Sequence, residues 1–528
     1  MSPSLALIAQ LRAAVGDHPF LTFFVIAMLW RMAYAMMHLA PRRTSGPLAA
    51  AAGAIGISVY AAIAIWYAVA ARSYYDFAEP TVASIAWLFE RGQPIYHAID
   101  AAERYAHIYG PLAFMIPGWF MAAMGPSLVT SKIVGVLAGL LSVVVVFVVL
   151  RTATTASRAL ALTGLFALLC LTFRNTSFWI RPDSFALLFA STALLASVAA
   201  TPGWLAAIGV GVCGGLLLNL KFTGLLYALP ALTILATRVG VGAVAGAGLT
   251  TAIVAAVPFV AFSNVSLANY LAWVRLSAGN GLSGSLLRHN VEWALFMLMT
   301  LFAGRVGMRE REGEHERGRR RNLAALAIGV IIVVVAASKP GAGPYHLLPF
   351  WPAMLYIVAQ GRALPPPAFV ATTIIVATLQ QAYFVGVMRS ADDAEVDAAA
   401  DVVGFVDANP GRTVAMGYAN AGERWTYVRP VMVFRTGRYP IDAPAVQEFQ
   451  MSGLPMPEAT IDALRRCDTE FWLIPKAATP FAGPNKYPSM LMAPLFPESF
   501  TRAFGDAYEH DPARDTRFFD VWRCRRVR

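Results

Sequence analysis

Long apolar runs broken by short polar clusters recur from the N-terminus to about residue 387; beyond it acidic residues return and apolar stretches shrink to a few residues. About 20 apolar residues in a helix cover the hydrocarbon core of a bilayer. The pattern therefore predicts spans near 19–40, 47–71, 127–150, 159–173, 184–200, 203–220, 222–237, 241–262, 290–306, 322–337, 346–361 and 367–387, about twelve in all. The first carries Arg31 and His38 and is a candidate interfacial segment, and the short runs flanking Lys221 are candidates for broken or re-entrant helices. In the tail, 413–418, 428–434, 471–474 and 518–522 read as strands and 457–466 as a helix, which predicts a small α/β domain. The expected organisation is a multi-span domain over 1–387, with a large outer loop at 72–126, and an α/β domain over 388–528.

Within that loop Val82, Ile85 and Phe89 recur at helical spacing, predicting an amphipathic helix lying on the membrane surface. Pro80 suits its first turn, so Glu79 is expected to cap it, with Asp76 in the preceding turn and not needed as a cap. A second, polar helix is expected over 98–107, before the turn Tyr109-Gly110-Pro111 returns the chain to the bilayer.

With 57% hydrophobic residues, 14% charged residues and a mean hydropathy of +0.56, the first 387 residues cannot form a soluble domain. The net charge of +11 does not indicate nucleic acid, because the basic residues are divided between the 305–321 loop and a scattered tail. Basic residues resist translocation, so the loops at 41–46, 151–158, 305–321 and the turns at Arg238 and Arg362, which together hold 13 of them, are assigned to the cytoplasmic side. The loop containing Asp76 and the tail are then extracytoplasmic. No charged segment followed by a small-residue cleavage site opens the sequence, so no signal-peptide removal is expected. Cys170 and Cys213 fall in apolar runs as small core residues, whereas Cys467 and Cys524 lie in the tail, where an oxidising compartment permits a bridge that spacing alone does not decide.

Acidic residues are scarce before residue 388: outside the charged loop there are only Asp17, Asp76, Glu79, Glu90, Asp100, Glu103, Asp183 and Glu292. A carboxylate at mid-bilayer costs about 2.5–3.5 kcal/mol, so these mark an aqueous edge. Counting spans places Asp76, Glu79, Arg174, Arg181, Asp183, Lys221, Arg275, Arg288, His289, Lys339, Tyr345 and His346 on one side. Acids and cations at a lipid–water boundary suit a substrate with an acidic headgroup, a sugar and an apolar tail, as a polyprenyl-phosphate sugar has. Transfer from such a donor needs a base for the acceptor hydroxyl and charge stabilisation for the departing phosphate. One base implies inversion, by analogy with glycoside hydrolysis. A secondary transporter, a lipid-binding or assembly protein, and a surface-polysaccharide polymerase or ligase are the rival readings; a transporter would carry its charges at span midpoints and show similar halves.

The acidic pair, the helix behind it, Tyr109-Gly110-Pro111-Leu112, Arg181-Pro182-Asp183-Ser184, Leu220-Lys221-Phe222-Thr223-Gly224 and Tyr345-His346-Leu347-Leu348-Pro349 together resemble bacterial GT-C fold glycosyltransferases, in particular the protein O-mannosyltransferase-like group of RgtA type, over roughly 45–390. The resemblance implies a mainly α, GT-C-like transmembrane bundle in a bacterial inner membrane, with its active site and C-terminal domain in the periplasm. It implies a polyprenyl-phosphate-sugar donor and a lipid, polysaccharide or protein acceptor. By position Asp76 matches the family's catalytic base and Lys221 its phosphate-holding cation, while Asp183 matches an acid linked to metal or polar substrate contacts. Arg181, Tyr109, Tyr345 and His346 are the further candidate substrate contacts. A divalent ion at Asp183 is the one cofactor candidate. Many relatives have adjacent Asp-Glu, whereas Phe77 and Ala78 separate Asp76 from Glu79 here, leaving open how the two divide the work.

Overall fold

The computed structural model describes residues 3–37, 46–105, 108–305, 314–361, 364–419, 427–476, 478–483 and 493–526. The basic segments 41–46 and 305–321, the turn at Arg362 and the end of the expected 98–107 helix fall wholly or partly outside them.

Helices α1 (Pro3–Leu11), α2 (Pro19–Met37), α3 (Gly46–Val69), α4 (Glu79–Glu90), α5 (Leu112–Met124), α6 (Leu128–Arg151), α7 (Ala156–Leu171), α8 (Pro182–Ala199) and α9 (Gly203–Leu218) come first. They are followed by α10 (Leu229–Arg238), α11 (Val241–Ala261), α12 (Leu267–Ala278), α13 (Gly284–Arg305), α14 (Glu314–Ala336), α15 (Trp351–Gln360) and the long α16 (Pro367–Ala408). The tail continues through β1 (Val414–Met416), α17 (Val428–Thr436), α18 (Ala443–Met451), α19 (Glu458–Arg466), β2 (Phe471–Pro475), α20 (Glu498–Ala507), β3 (Tyr508–His510) and β4 (Phe519–Cys524). The chain packs as two discontinuous units: one is Met1–Ala70, Gly135–Val257 and Leu282–Val387, the other Ala71–Val134, Pro258–Gly281 and Met388–Arg528. The 71–134 loop and a short segment before α13 thus belong with the tail.

The protein is a multi-pass membrane protein. Among the described residues, α3, α6, α8, α11 and the Pro367–Ser390 part of α16 are long and apolar enough to cross a bilayer; the helical stretches Pro3–Gly16 and Pro19–Arg31, bent by 78°, add a sixth if they form one broken span. Within the described residues each of the twelve apolar runs falls largely on helical structure, but several helices are short. The 16 residues of α7 or α9 extend about 24 Å at ~1.5 Å per residue, less than the ~30 Å hydrocarbon core. Side chains such as Ile55, Leu249 and Ile253 are more than half exposed on α3 and α11, as lipid-facing residues are.

In the first unit α3 and α7 approach backbone to backbone. A Cβ on Gly164 would overlap the backbone of Gly53, and one on Gly56 would lie 2.9 Å from the Gly164 carbonyl. Small residues at membrane-helix contacts permit this approach, and dispersion gained along the contact is what holds such pairs. The stretch between α7 and α8 is similarly confined: a Cβ on Gly135 or Gly139 of α6 would strike the carbonyls of Trp179 or Ser177. Gln381 completes it by donating to the carbonyls of Leu171 (2.7 Å) and Arg174 (3.0 Å).

In the second unit a four-stranded sheet has the order β1-β2-β4-β3, with β1 and β2 parallel and the other pairs antiparallel. Ala415, Trp472 and Ile474 face a core with α18, α19 and α20, whereas Val414, Met416, Phe471 and Leu473 face one with the end of α16 and α17. Both faces are covered, which is why β2 reads Phe-Trp-Leu-Ile-Pro without alternation. Cys467 and Cys524 are joined by a disulfide, with Cα atoms 5.9 Å apart; Cys170 and Cys213 are buried thiols.

Three local expectations are corrected. The expected strand at 428–434 is helix α17: Val428 and Met432, four residues apart, turn together into the core, and Gly437 ends the helix at φ 66°. The described part, 98–105, of the polar helix expected at 98–107 is a set of turns, with Arg104 bridged to Ile441. Helix α4 is not amphipathic in its surroundings: its residues are buried on every side except Trp87 and Glu90, which are half-buried. It packs against α5 and α17.

Candidate active site

The first unit gathers five of the sequence candidates. Helix α9 ends at Leu218; the chain then turns through Lys221 into a 3-10 turn at Gly224–Ala228, and Gly224 is required there because a Cβ would overlap the Leu217 carbonyl. That break presents Lys221 to Asp183 in the first turn of α8, where the positive helix end favours a carboxylate. Lys221 Nζ donates to Asp183 Oδ1 at 2.5 Å and lies 3.2 Å from His346 Nδ1. His346 and Tyr345 come from the 3-10 segment Pro344–Phe350, with stacked rings 4.6 Å apart. Arg181 donates to the Tyr345 hydroxyl at 2.9 Å, and its guanidinium lies 4.0 Å over the Trp179 ring.

Asp183, Lys221 and Arg181 are all buried. Such burial is costly unless charges are paired. Among the described residues, two cations accompany one carboxylate here. Asp183 Oδ2 is buried without a hydrogen-bond partner among the described residues. An arrangement of this kind can take up an anionic oxygen on Lys221 and Arg181. Asp183 meanwhile holds Lys221 in position, and its second oxygen is left to a hydroxyl or a cation. A metal would find one carboxylate and one imidazole here, a small donor set for a resident divalent ion. Arg174, also considered, has φ 62° and donates to Gln380 at 2.9 Å, which anchors the preceding turn.

The second unit holds Asp76, Glu79 and Tyr109. Asp76 Oδ1 accepts the Ala78 N–H at 2.9 Å, and Glu79 Oε1 accepts the Asp76 N–H at 3.1 Å. The cap position of α4 is Ala78, and Glu79 is its first residue. The two acids therefore form a reciprocal capping turn with Asp in the role usually taken by Ser or Thr. This corrects both expectations: Glu79 is not the cap, and Asp76 has local structural work. Asp76 remains half-exposed, whereas Glu79 is fully buried. Tyr109 is buried, its carbonyl accepting the Tyr96 hydroxyl at 2.6 Å.

Two residues absent from the sequence reading shape this region. Lys132, fully buried near the start of α6, donates to the carbonyls of Ala71 (2.9 Å) and Ser73 (2.5 Å), fixing the backbone that leads to Asp76. A lone lysine inside an apolar run was a visible signal. Asp442 accepts hydrogen bonds on Oδ1 from Tyr439 and, at 3.0 Å, from Thr81 of α4. Burial pushes its carboxyl up to about 7. Nothing local in the sequence distinguishes it from the other acids of the tail.

No family model matches the chain, and no curated protein matches it. Solved structures do. ArnT from Cupriavidus metallidurans in the apo state aligns with TM-score 0.51 and 13% identity over 80% of this chain and 92% of that one. The same protein bound to undecaprenyl phosphate gives 0.49 and 13% over 80% and 93%, and the arabinosyltransferase EmbB from Mycobacterium smegmatis gives 0.39 and 16% over 83% and 42%. At such identity a likeness carries the fold. The helical membrane architecture with a small sheet-bearing tail is the GT-C fold.

Proposed function

We propose that this chain is an inverting membrane glycosyltransferase that moves a sugar from a polyprenyl-phosphate donor to a lipid, polysaccharide or protein acceptor on the periplasmic face. A fold does not fix a function; the observation that carries the reading is the cluster of buried Lys221, Arg181 and Asp183 with half-buried His346 and Tyr345, in which, among the described residues, two cations accompany one carboxylate. Lys221 and Arg181 hold the donor phosphate and stabilise the charge it gains on leaving. Asp183 and His346 orient Lys221, and Tyr345 orients Arg181. Asp76 takes the proton of the acceptor hydroxyl as that oxygen attacks the anomeric carbon, and Glu79 holds its backbone. Tyr109 is a further substrate contact in this reading. The Cys467–Cys524 bridge supports an oxidising compartment for the tail, and a subfamily of RgtA type remains the proposed placement.

The test uses purified full-length protein with a radiolabelled polyprenyl-phosphate sugar. Lys221→Ala is expected to weaken donor binding at least about tenfold and Lys221→Arg to retain part of it, since charge is kept while geometry changes. Asp76→Asn still offers an oxygen to the Ala78 N–H but takes no proton, so turnover should fall roughly 100-fold or more with folding intact. Full transfer by both Asp76→Asn and Glu79→Gln would remove this loop from the chemistry. If Glu79→Gln alone abolishes transfer, the roles of the two acids are exchanged.

A further inference from the structure

Away from these residues, the second unit contains a cleft of ≈ 330 Å³ between the 93–105 turns and the tail. Its walls are built to hold shape. The Arg104 N–H donates to the Pro440 carbonyl at 2.7 Å, and the Asp442 N–H to the Arg104 carbonyl at 2.8 Å, tying the two segments in register. Arg104, completely buried, secures the turn from beneath: it donates to Thr460 Oγ1 at 3.1 Å and to the Ile99 carbonyl at 2.8 Å, and its guanidinium lies 4.7 Å over the Phe449 ring. Burying a guanidinium is costly, and a loop secured in this way loses little further entropy when a ligand binds.

The lining divides by chemistry. Tyr105, Tyr439, Trp472 and Tyr508 form an aromatic floor, with the first two rings stacked 5.8 Å apart. Their hydroxyls are already engaged: Tyr105 donates to the Pro94 carbonyl (3.0 Å), Tyr508 to the Thr469 carbonyl (2.7 Å) and Tyr439 to Asp442. Carbon-rich ring edges are therefore what the cleft meets. The rim is polar: Glu103 and Asp468 are exposed, Glu103 makes no hydrogen bond among the described residues, and Asp468 accepts from Arg466 at 2.7 Å, which leaves it further acceptor capacity. Arg438, which donates to the Asp468 carbonyl at 3.1 Å, stands beside them. An apolar floor under a ring of acceptors matches a molecule with C–H faces and a fringe of hydroxyl donors. A free phosphate or acidic lipid headgroup would find Arg438 as the one cation of the lining, beside Glu103 and beside an Asp468 already paired with Arg466, and a purely apolar tail would leave the rim unpaired. The volume lies at the lower end of the ~300–1,000 Å³ range of small-molecule sites, enough for one or two sugar rings.

We propose that this cleft binds a neutral saccharide unit, the glycan part of the acceptor, with Glu103 and Asp468 accepting its hydroxyls. The identity of the occupant as acceptor rests on the glycosyltransferase reading; the affinity for sugar does not. The test is saturation-transfer NMR on the full-length protein in detergent, with maltose, lactose and cellobiose as probes and inorganic phosphate as the anionic control. At least one disaccharide is expected to receive saturation, and both Glu103→Gln and Asp468→Asn, exposed positions that leave the core alone, should weaken that binding by about tenfold. Lys221→Ala should leave it unchanged. The proposal is overturned if no disaccharide binds at 10 mM added probe, an experimental ceiling of roughly the millimolar range, if phosphate alone binds, or if both rim variants bind like the parent. Sugar binding with no transfer from any lipid-linked donor would sink the enzymatic reading and leave the cleft standing; transfer without sugar binding would do the reverse.

Discussion

Several charged side chains of this protein are buried, and each is held by a different device. Lys221 is paired with Asp183, Lys132 is solvated by backbone carbonyls, and Arg104 by carbonyls and an aromatic face. Among the described residues Asp442 has no cation within hydrogen-bond reach; burial raises its carboxyl to about 7 against the smaller opposing effects of Tyr439, Thr81, the Arg429 charge and the Ala445 N–H. An unfolded aspartate releases its proton near pH 4. Between about pH 4 and pH 7 the folded protein therefore holds a proton that the unfolded chain has lost, and stability falls as pH rises through that window and levels off above it. Asp442→Asn, uncharged throughout, should lose this component. Thermal unfolding of parent and variant at pH 5 and pH 8 checks it: the parent should drop by more degrees than the variant, and equal drops would mean that the carboxyl is not protonated at pH 5 in the fold.

At the scale of elements, packing overrides local pattern in two instructive places. The 428–434 run is rich in β-branched residues and reads as strand, yet it folds as α17, whose Val428 and Met432 help α16 cover one face of the sheet. The apolar spacing of α4 correctly signals a helix, but a helix surrounded by its own unit needs no wet face. Apolarity, by contrast, says nothing of which membrane helices touch. The α3–α7 contact rests on Gly53, Gly56 and Gly164, where side chains would occupy backbone space. Gly164→Val should force the helices apart and cost about 1–3 kcal/mol, read as a lower unfolding temperature in detergent. A valine at Gly242, around which a Cβ meets nothing within 4 Å, is the control expected to be silent.

At the scale of the molecule, the orientation of the chain remains a proposal that one pair of fusions tests. Alkaline phosphatase joined after residue 400 should be active and a fusion within the 305–321 loop inactive; the opposite pattern would move the Asp76 loop to the cytoplasmic side. Much of the architecture is already determined by the sequence, because membrane insertion reads a one-dimensional property: apolar length decides where helices form, basic residues bias their sides, and scarce acids stand out against them. Arg181, Asp183, Lys221, Tyr345 and His346 could be picked out as candidates for that reason, each lying at the end of an apolar run. Tertiary structure alone decided that these five meet in one cluster, through contacts that span 38 to 164 positions of chain, that Asp76 and Glu79 share a capping turn, and that the 71–134 loop folds with a tail that begins at Met388. Those outcomes depend on contacts between distant segments and on which buried groups find partners, and neither is written in local hydropathy.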